Sequence, residues 1–376
     1  MNFSKDELER YSRQLILPEI GEAGQKKIKN AKVLLVGAGG LGSPAAIYLS
    51  ALGLGTLGIM DTDKVELSNL HRQVLHTTRD IGQLKVLSAK EKISDLNPNV
   101  QIISYQERFS ADNALKLVKE YDFVIDGTDN FPTRYLINDA CVLSEKPFIF
   151  GGILRFEGQC SIFGLSGGPC YRCFFEEPPQ ADAIPSCAEA GVLGVLPGII
   201  GLLQANEAIK LICGIGDPLK GRLLIFDALA THFREVKLKK NPNCAVCGQN
   251  PTITKIEAID LPVACVLQPK LEGIPEVTVQ ELKEMMDKKS SDFVLIDVRE
   301  HPEWDAGHIN GAVLKPMSTL QETFHEIPKD KSVYLHCGMG GRSARAVQFL
   351  KSKGYTNVYN LKGGYKAWME EVAAKS

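Results

Sequence analysis

The sequence predicts an α/β fold in two parts: a mostly parallel sheet with an antiparallel extension, then a second, smaller α/β domain. Three observations predict it. Short apolar runs alternate with helical segments from Lys32 to Ile125, as parallel strands joined by crossover helices require. From Pro147 the pattern changes to adjoining strands of the antiparallel kind, Phe148 to Ile153 and Gly158 to Phe163. Four prolines and no sustained period mark Gln249 to Glu276 as a linker, after which strands and helices alternate again. The expected divisions are 1–250, a linker over 251–275, and 276–376.

Composition bounds the reading. A chain of 376 residues is long enough for two domains, and 44% hydrophobic content is ordinary for a globular protein. Net charge is −2, so no global field favours nucleic acid or anionic lipid. The start, Met1 to Gln14, lacks a signal-peptide core. The apolar stretch Gly191 to Leu203 is interrupted by Pro197 and too short to span a bilayer. The expectation is a soluble, cytoplasmic protein that binds neither nucleic acid nor membrane. Ten cysteines then suit metal binding or catalysis rather than disulfides.

Ser4 to Gln14 reads as a short helix capped by Ser4 with Glu7 three residues on. Val33 to Val36 is a buried strand, followed by Gly37, Gly39, Gly40 and Gly42. These glycines let phosphates approach backbone N–H groups at a helix N-terminus. Without a ligand, they serve only a tight strand–helix turn. The next strand, Thr56 to Met60, ends at Asp61, where a carboxylate can bind a ribose hydroxyl. The polar stretch Asp63 to Gln73 is a loop in which Asn69, Arg72 and Gln73 can hold phosphate oxygens. Ile81 to Leu96 is an amphipathic helix with Lys85 in its first turn. A cation there opposes the helix dipole, so a nearby anion is expected.

Val100 to Tyr105, a helix over Asp112 to Glu120 and a strand at Phe123 to Ile125 lead to D-G-T-D-N, Asp126 to Asn130. Asp129 at this strand end can hold Mg2+, or cap the helix beginning near Phe131. Two C-x-x-C pairs follow, Cys170/Cys173 and Cys244/Cys247, with 70 residues between them. Two such pairs suit tetrahedral zinc with four thiolates. Cys187 lies on the Pro- and Gly-rich loop of Phe174 to Leu196, either incidental or a nucleophile. Leu196 to Cys213 reads as a buried helix, and Arg222 to Ala228 and His232 to Lys239 as strands.

The last segment has a strand at Val294 to Ile296 ending D-V-R-E. Another, Val333 to His336, precedes C-G-M-G-G-R-S, Cys337 to Ser343. A cysteine between a strand and a helix N-terminus has its thiolate stabilised by loop N–H groups, and Arg342 adds charge. With four residues between Cys337 and Arg342, the loop suits a persulfide sulfur better than a phosphate.

The first 250 residues resemble the MoeB/ThiF family, relatives of ubiquitin-activating enzymes. The resemblance rests on R-Y-S-R-Q at Arg10 to Gln14, G-A-G-G-L-G-S, Asp61, S-N-L-H-R-Q, Lys85, D-G-T-D-N-F, both C-x-x-C pairs and C-A-E-A-G-V-L-G at Cys187. From about 276 the chain resembles a rhodanese domain, through D-V-R-E, E-W-D-A-G-H-I-N-G-A, the Cys337 loop and N-L-K-G-G-Y-K-A-W. The resemblance implies a Rossmann-like sheet and ATP as the nucleotide. The glycines and Asp61 would hold the adenosine. Ser68, Asn69, Leu70, His71, Arg72, Gln73, Lys85, Asp129 and Asn130 would complete the site, Asp129 with Mg2+, and Arg13 would reach the partner's ATP in a homodimer. It further implies a ubiquitin-like sulfur carrier ending in Gly-Gly, adenylated on its terminal carboxylate. A Cys337 persulfide, loaded by a donor such as a cysteine desulfurase, would convert the adenylate to a thiocarboxylate for molybdopterin, thiamine or a related pathway. Cys187 would resolve an acyl disulfide or form a thioester. Gly338 stands where many sulfurtransferases carry a basic residue, which speaks against thiosulfate as donor. The alternative is an NAD-dependent dehydrogenase with a regulatory rhodanese module. The S-N-L-H-R-Q loop, Lys85 and the lack of a hydride-transfer constellation count against it.

Overall fold

The computed structural model describes residues 3–177, 191–256, 274–288 and 292–372, in two compact units. Cys187 lies outside the described residues.

The first unit opens with helices α1 (Lys5–Arg10), α2 (Ser12–Leu15) and α3 (Gly21–Asn30). Ser4 and Glu7 form the expected capping box. The single helix expected over Ser4 to Gln14 is two helices, because Tyr11 breaks it. Tyr11 is 3% exposed, and its hydroxyl accepts a hydrogen bond from Asn97 Nδ2 at 2.9 Å. Gly53 runs beneath that ring so closely that a Cβ would lie 2.5 Å from Tyr11 Cζ.

The sheet is built from β1 (Lys32–Val36), β2 (Thr56–Met60), β3 (Gln101–Tyr105), β4 (Phe123–Asp126), β5 (Phe148–Leu154), β6 (Glu157–Phe163), β7 (Arg222–Asp227) and β8 (His232–Lys237). Its order is β3-β2-β1-β4-β5-β6-β7-β8. Strands β1 to β5 pair in parallel, and β5 to β8 form the antiparallel extension. Helices α4 (Gly42–Ala51), α5 (Lys85–Leu96), α6 (Ala114–Glu120), α7 (Phe131–Leu143) and α8 (Leu196–Cys213) surround it. Alternate residues feed two cores: Leu35, Ile59 and Ile125 join one, Leu34, Val36 and Val124 the other. Burial on both faces is why these strands are apolar at most positions.

Register matters for function. Val36 lies opposite Met60 on one side and Asp126 on the other. Strands β1, β2 and β4 therefore end level, and the segments after them emerge side by side.

One expectation changes here, and another is met. Helix α5 begins at Lys85 rather than Ile81, because residues 82–84 turn back on 64–65. Gly82 has φ +87°, its N–H donates to Val65 O at 2.9 Å, and Lys64 pairs with Leu84. Helix α8 has 18 residues with mean hydropathy 1.2, so its length and composition would allow a membrane span. It packs instead as a core helix: Gln204 Nε2 donates to Asp126 O at 2.8 Å and Ile149 O at 3.1 Å.

The second unit is a five-stranded parallel sheet of order β11-β10-β12-β13-β9. Its strands are β9 (Glu276–Val277), β10 (Phe293–Asp297), β11 (Ala312–Leu314), β12 (Ser332–His336) and β13 (Val358–Leu361). Helices α9 (Val279–Asp287), α10 (His301–Asp305), α11 (Leu320–Thr323), α12 (Gly341–Ser352) and α13 (Gly364–Glu371) cover it. Asp297 lies opposite His336, which brings the D-V-R-E turn beside Cys337.

Candidate functional site

The first site forms at the level ends of β1, β2 and β4. Gly37 has φ +98°, and a Cβ on it would lie 2.6 Å from Gly127 O. A Cβ on Gly42 would lie 2.0 Å from Gly37 O. Only glycine fits either place, and the N-terminus of α4 stays open to an anion. The Asp61 carboxylate crosses to this loop: Oδ2 accepts from Ala38 N at 2.8 Å and Oδ1 from Asp63 N at 2.8 Å. Burial pushes its pKa up against these hydrogen bonds and Lys85.

The S-N-L-H-R-Q loop folds over the glycines. Asn69 Oδ1 accepts from Glu66 N at 3.2 Å, and Arg72 Nη1 and His71 Nδ1 each lie 3.0 Å from Ser68 O. Arg72 and Pro197 flank Gly40, where a Cβ would lie 3.6 Å and 3.1 Å from them. The Gln73 amide faces Gly39, and its buried Oε1 has no hydrogen-bond partner among the described residues. An unsatisfied acceptor at this depth fits a site completed by a ligand. Lys85 Nζ meets Asp63 Oδ2 at 2.9 Å, so an anion does stand beside it, one supplied by the protein.

Asp129 is exposed at the end of β4. The helix cap is Asn130, not Asp129: Asn130 Oδ1 accepts from Thr133 N at 3.0 Å. Asp126 braces the turn. Its carboxylate accepts from Arg134 Nε at 2.7 Å, Thr128 Oγ1 at 2.6 Å and Thr128 N at 2.9 Å. Sequence reading overlooked this buried pair, although a charged residue one helical turn into the mostly apolar α7 was its signal. Among the described residues, Ser68, Leu70 and His71 bond within their own loop and not to the glycines. Arg13 is exposed on α2, forms no ion pair among the described residues, and is not joined to this site within one chain.

The four cysteines of the two C-x-x-C pairs converge, with all Sγ atoms within 4.8 Å of one another. Neighbouring sulfurs are 3.9 Å (Cys170–Cys173), 3.5 Å (Cys170–Cys244) and 3.4 Å (Cys173–Cys247) apart. Tetrahedral zinc with Zn–S of about 2.3 Å sets sulfurs about 3.8 Å apart, so the cluster fits zinc. The Cys170 contact pulls the Cys173 thiol down, while the same contact and burial push Cys170 up. Arg172, inside the first pair, anchors it to α7 through two 2.8 Å bonds to Asp139. Residues 252–253 lie along this cluster, both donating to Ala245 O at 2.9 Å.

In the second unit, Cys337 is 2% exposed at the base of its loop. Its Sγ accepts from Gly340 N at 3.1 Å, and Ser343 Oγ lies 3.5 Å away. Arg342 forks onto Glu303, both contacts 2.6 Å. That pairing holds the Glu303 carboxyl below its usual range. The charge expected of Arg342 is therefore largely matched. His336, buried behind Cys337, lies 3.7 Å from Asp297 Oδ2, and burial lowers it to about 4.

Comparison with known proteins agrees with this division. Residues 11–246 match the ThiF family and residues 278–371 the Rhodanese-like domain. "Probable adenylyltransferase/sulfurtransferase MoeZ" of Mycobacterium tuberculosis is 42% identical, over 98% of this chain and 94% of its own length. "Sulfur carrier protein adenylyltransferase" of Thermus thermophilus is 51% identical, over 71% of this chain and all of its own. A crystal structure of E. coli MccB with MccA-N7isoASN shares the fold, at TM-score 0.58 and 23% identity over 66% of this chain and 76% of that one.

Proposed function

Because the chain belongs to the ThiF family and carries a rhodanese-like domain, we propose that it adenylates a ubiquitin-like sulfur carrier and then transfers sulfur to it. It is an adenylyltransferase and sulfurtransferase, and neither the family matches nor the relatives' names support the dehydrogenase alternative. The observation that carries the reading is the joining of Ala38, Asp61, Asp63 and Lys85 around a glycine loop, in the same chain as a cysteine held by loop donors.

Residues 1–250 carry adenylation, 276–376 sulfur transfer, and 251–275 tether them. ATP lies on Gly37, Gly39, Gly40, Gly42 and Asp61, with Asn69, Arg72, Gln73 and Lys85 toward the phosphates. Asp129 would hold Mg2+, which when bound neutralises polyphosphate charge. The carrier's terminal Gly-Gly carboxylate attacks the α-phosphorus, and pyrophosphate leaves. Arg13 serves the site of the second copy in a homodimer. The terminal sulfur of a Cys337 persulfide, supplied by a donor such as a cysteine desulfurase, attacks the acyl carbon and AMP leaves. Cys187 then attacks Cys337 Sγ, forming a disulfide and releasing the thiocarboxylate, and a cellular thiol reductant restores both. Molybdenum cofactor or thiamine synthesis would use such a product, and the cytoplasm would house it.

The test is carrier-dependent ATP–pyrophosphate exchange, followed by mass spectrometry of the carrier after adding a persulfide donor. The expected product carries sulfur in place of one oxygen. Exchange without any carrier, or NADH binding in place of exchange, would overturn the reading.

A further inference from the structure

Lys85 is the first residue of α5, where the helix dipole disfavours a cation. Its side chain is nonetheless only 7% exposed. A buried ammonium needs a counter-charge, and among the described residues the carboxylate in ion-pair distance is that of Asp63, at 2.9 Å. The same residue holds the backbone: Lys85 N donates to Asp63 O at 2.9 Å. Asp63 is fixed in turn by Asp61, which is fixed by the glycine loop. A relay therefore runs from Ala38 through Asp61 and Asp63 to the Lys85 ammonium.

We propose that Asp63 is a positioning residue for adenylation: it holds the Lys85 ammonium in fixed relation to the glycine loop while the nucleotide's phosphates take the ammonium's other N–H donors. This rests on the reading that Lys85 acts on those phosphates. The Asp63 side chain is 69% exposed, so water weakens the pair and leaves the ammonium free to share its donors with a polyphosphate. What Asp63 contributes is the placement of Lys85 while the phosphates react, so its loss is felt in the reacting complex more than in ATP binding.

The experiment compares Asp63→Asn, Asp63→Glu and Lys85→Ala in the full chain, by carrier-dependent pyrophosphate exchange. Asp63→Asn is expected to lower kcat about tenfold or more with KM for ATP within about threefold of wild type. Asp63→Glu is expected to recover most of the lost kcat. Circular dichroism and melting check that each variant is folded, and a loss that tracked unfolding without rescue by Asp63→Glu would overturn the positioning role. Wild-type kcat in Asp63→Asn, with Lys85→Ala inactive, would overturn this inference alone. An active Lys85→Ala would instead overturn the reading of Lys85.

Discussion

Glu303 grips Arg342 through both terminal guanidinium nitrogens, each 2.6 Å from a carboxylate oxygen. The loop around Cys337 thus carries a cation whose charge is matched, and Gly338 adds none. Thiosulfate brings two negative charges, so wild-type turnover of thiosulfate with cyanide is expected to be slow. Glu303→Gln should raise its kcat/KM about tenfold, the effect of about 1.4 kcal/mol of released attraction. Steady-state thiocyanate assays check this, and an unchanged or lower value would reject it.

Lys85→Ala and Asp129→Ala should each abolish carrier-dependent pyrophosphate exchange and leave rhodanese activity intact. The loss follows from missing charge around the polyphosphate, worth several kcal/mol in a site shielded from water. Exchange and cyanide assays on the same preparations give the comparison.

The cysteine cluster should bind one zinc per chain through Cys170, Cys173, Cys244 and Cys247. Four thiolates leave no open position for water, so its role is structural. Cys244→Ser should lose the zinc and melt lower. Elemental analysis with a melting curve in chelator checks it; a metal-free protein of unchanged melting temperature would contradict it.

Cys337→Ala should keep pyrophosphate exchange and lose both rhodanese activity and thiocarboxylate formation. Cys187→Ala should keep exchange and rhodanese activity but slow thiocarboxylate release. Thiocarboxylate at the normal rate from Cys337→Ala would move the sulfur chemistry elsewhere.

His336 gives the second unit a pH-dependent stability. Its folded pKa is lowered to about 4 by burial, so between the ordinary value near 6.5 and 4 the unfolded chain binds more protons. Stability is therefore full above about pH 6.5 and falls as pH drops toward 4, by on the order of 3 kcal/mol. Both tryptophans of the chain, Trp304 and Trp368, lie in this unit, so their fluorescence follows its unfolding. His336→Phe should flatten the denaturation midpoint across this range; an unchanged slope would assign it to another group.

The sequence alone determined the two α/β parts, the parallel-to-antiparallel change, the glycine turn after the first strand and the pairing of the two C-x-x-C motifs. Those signals are local. A strand buried on both faces must be apolar throughout, a loop that approaches phosphate needs glycine, and two C-x-x-C pairs have few other uses. The bounds of helix α8 were legible too, since Pro197 marks its first turn and Gly214, at φ +70°, follows its end. What only the tertiary structure decided is which groups meet. Tyr11 breaks the N-terminal helix because Asn97 and Gly53 receive its ring. Asn130 caps α7 because Asp126 and Arg134 set the preceding turn. The anion beside Lys85 proved to be Asp63, and the charge of Arg342 proved to be matched by Glu303, 39 positions away. Ion pairs and ring contacts across such distances leave no periodic trace, because they depend on where level strand ends and packed helices bring side chains together.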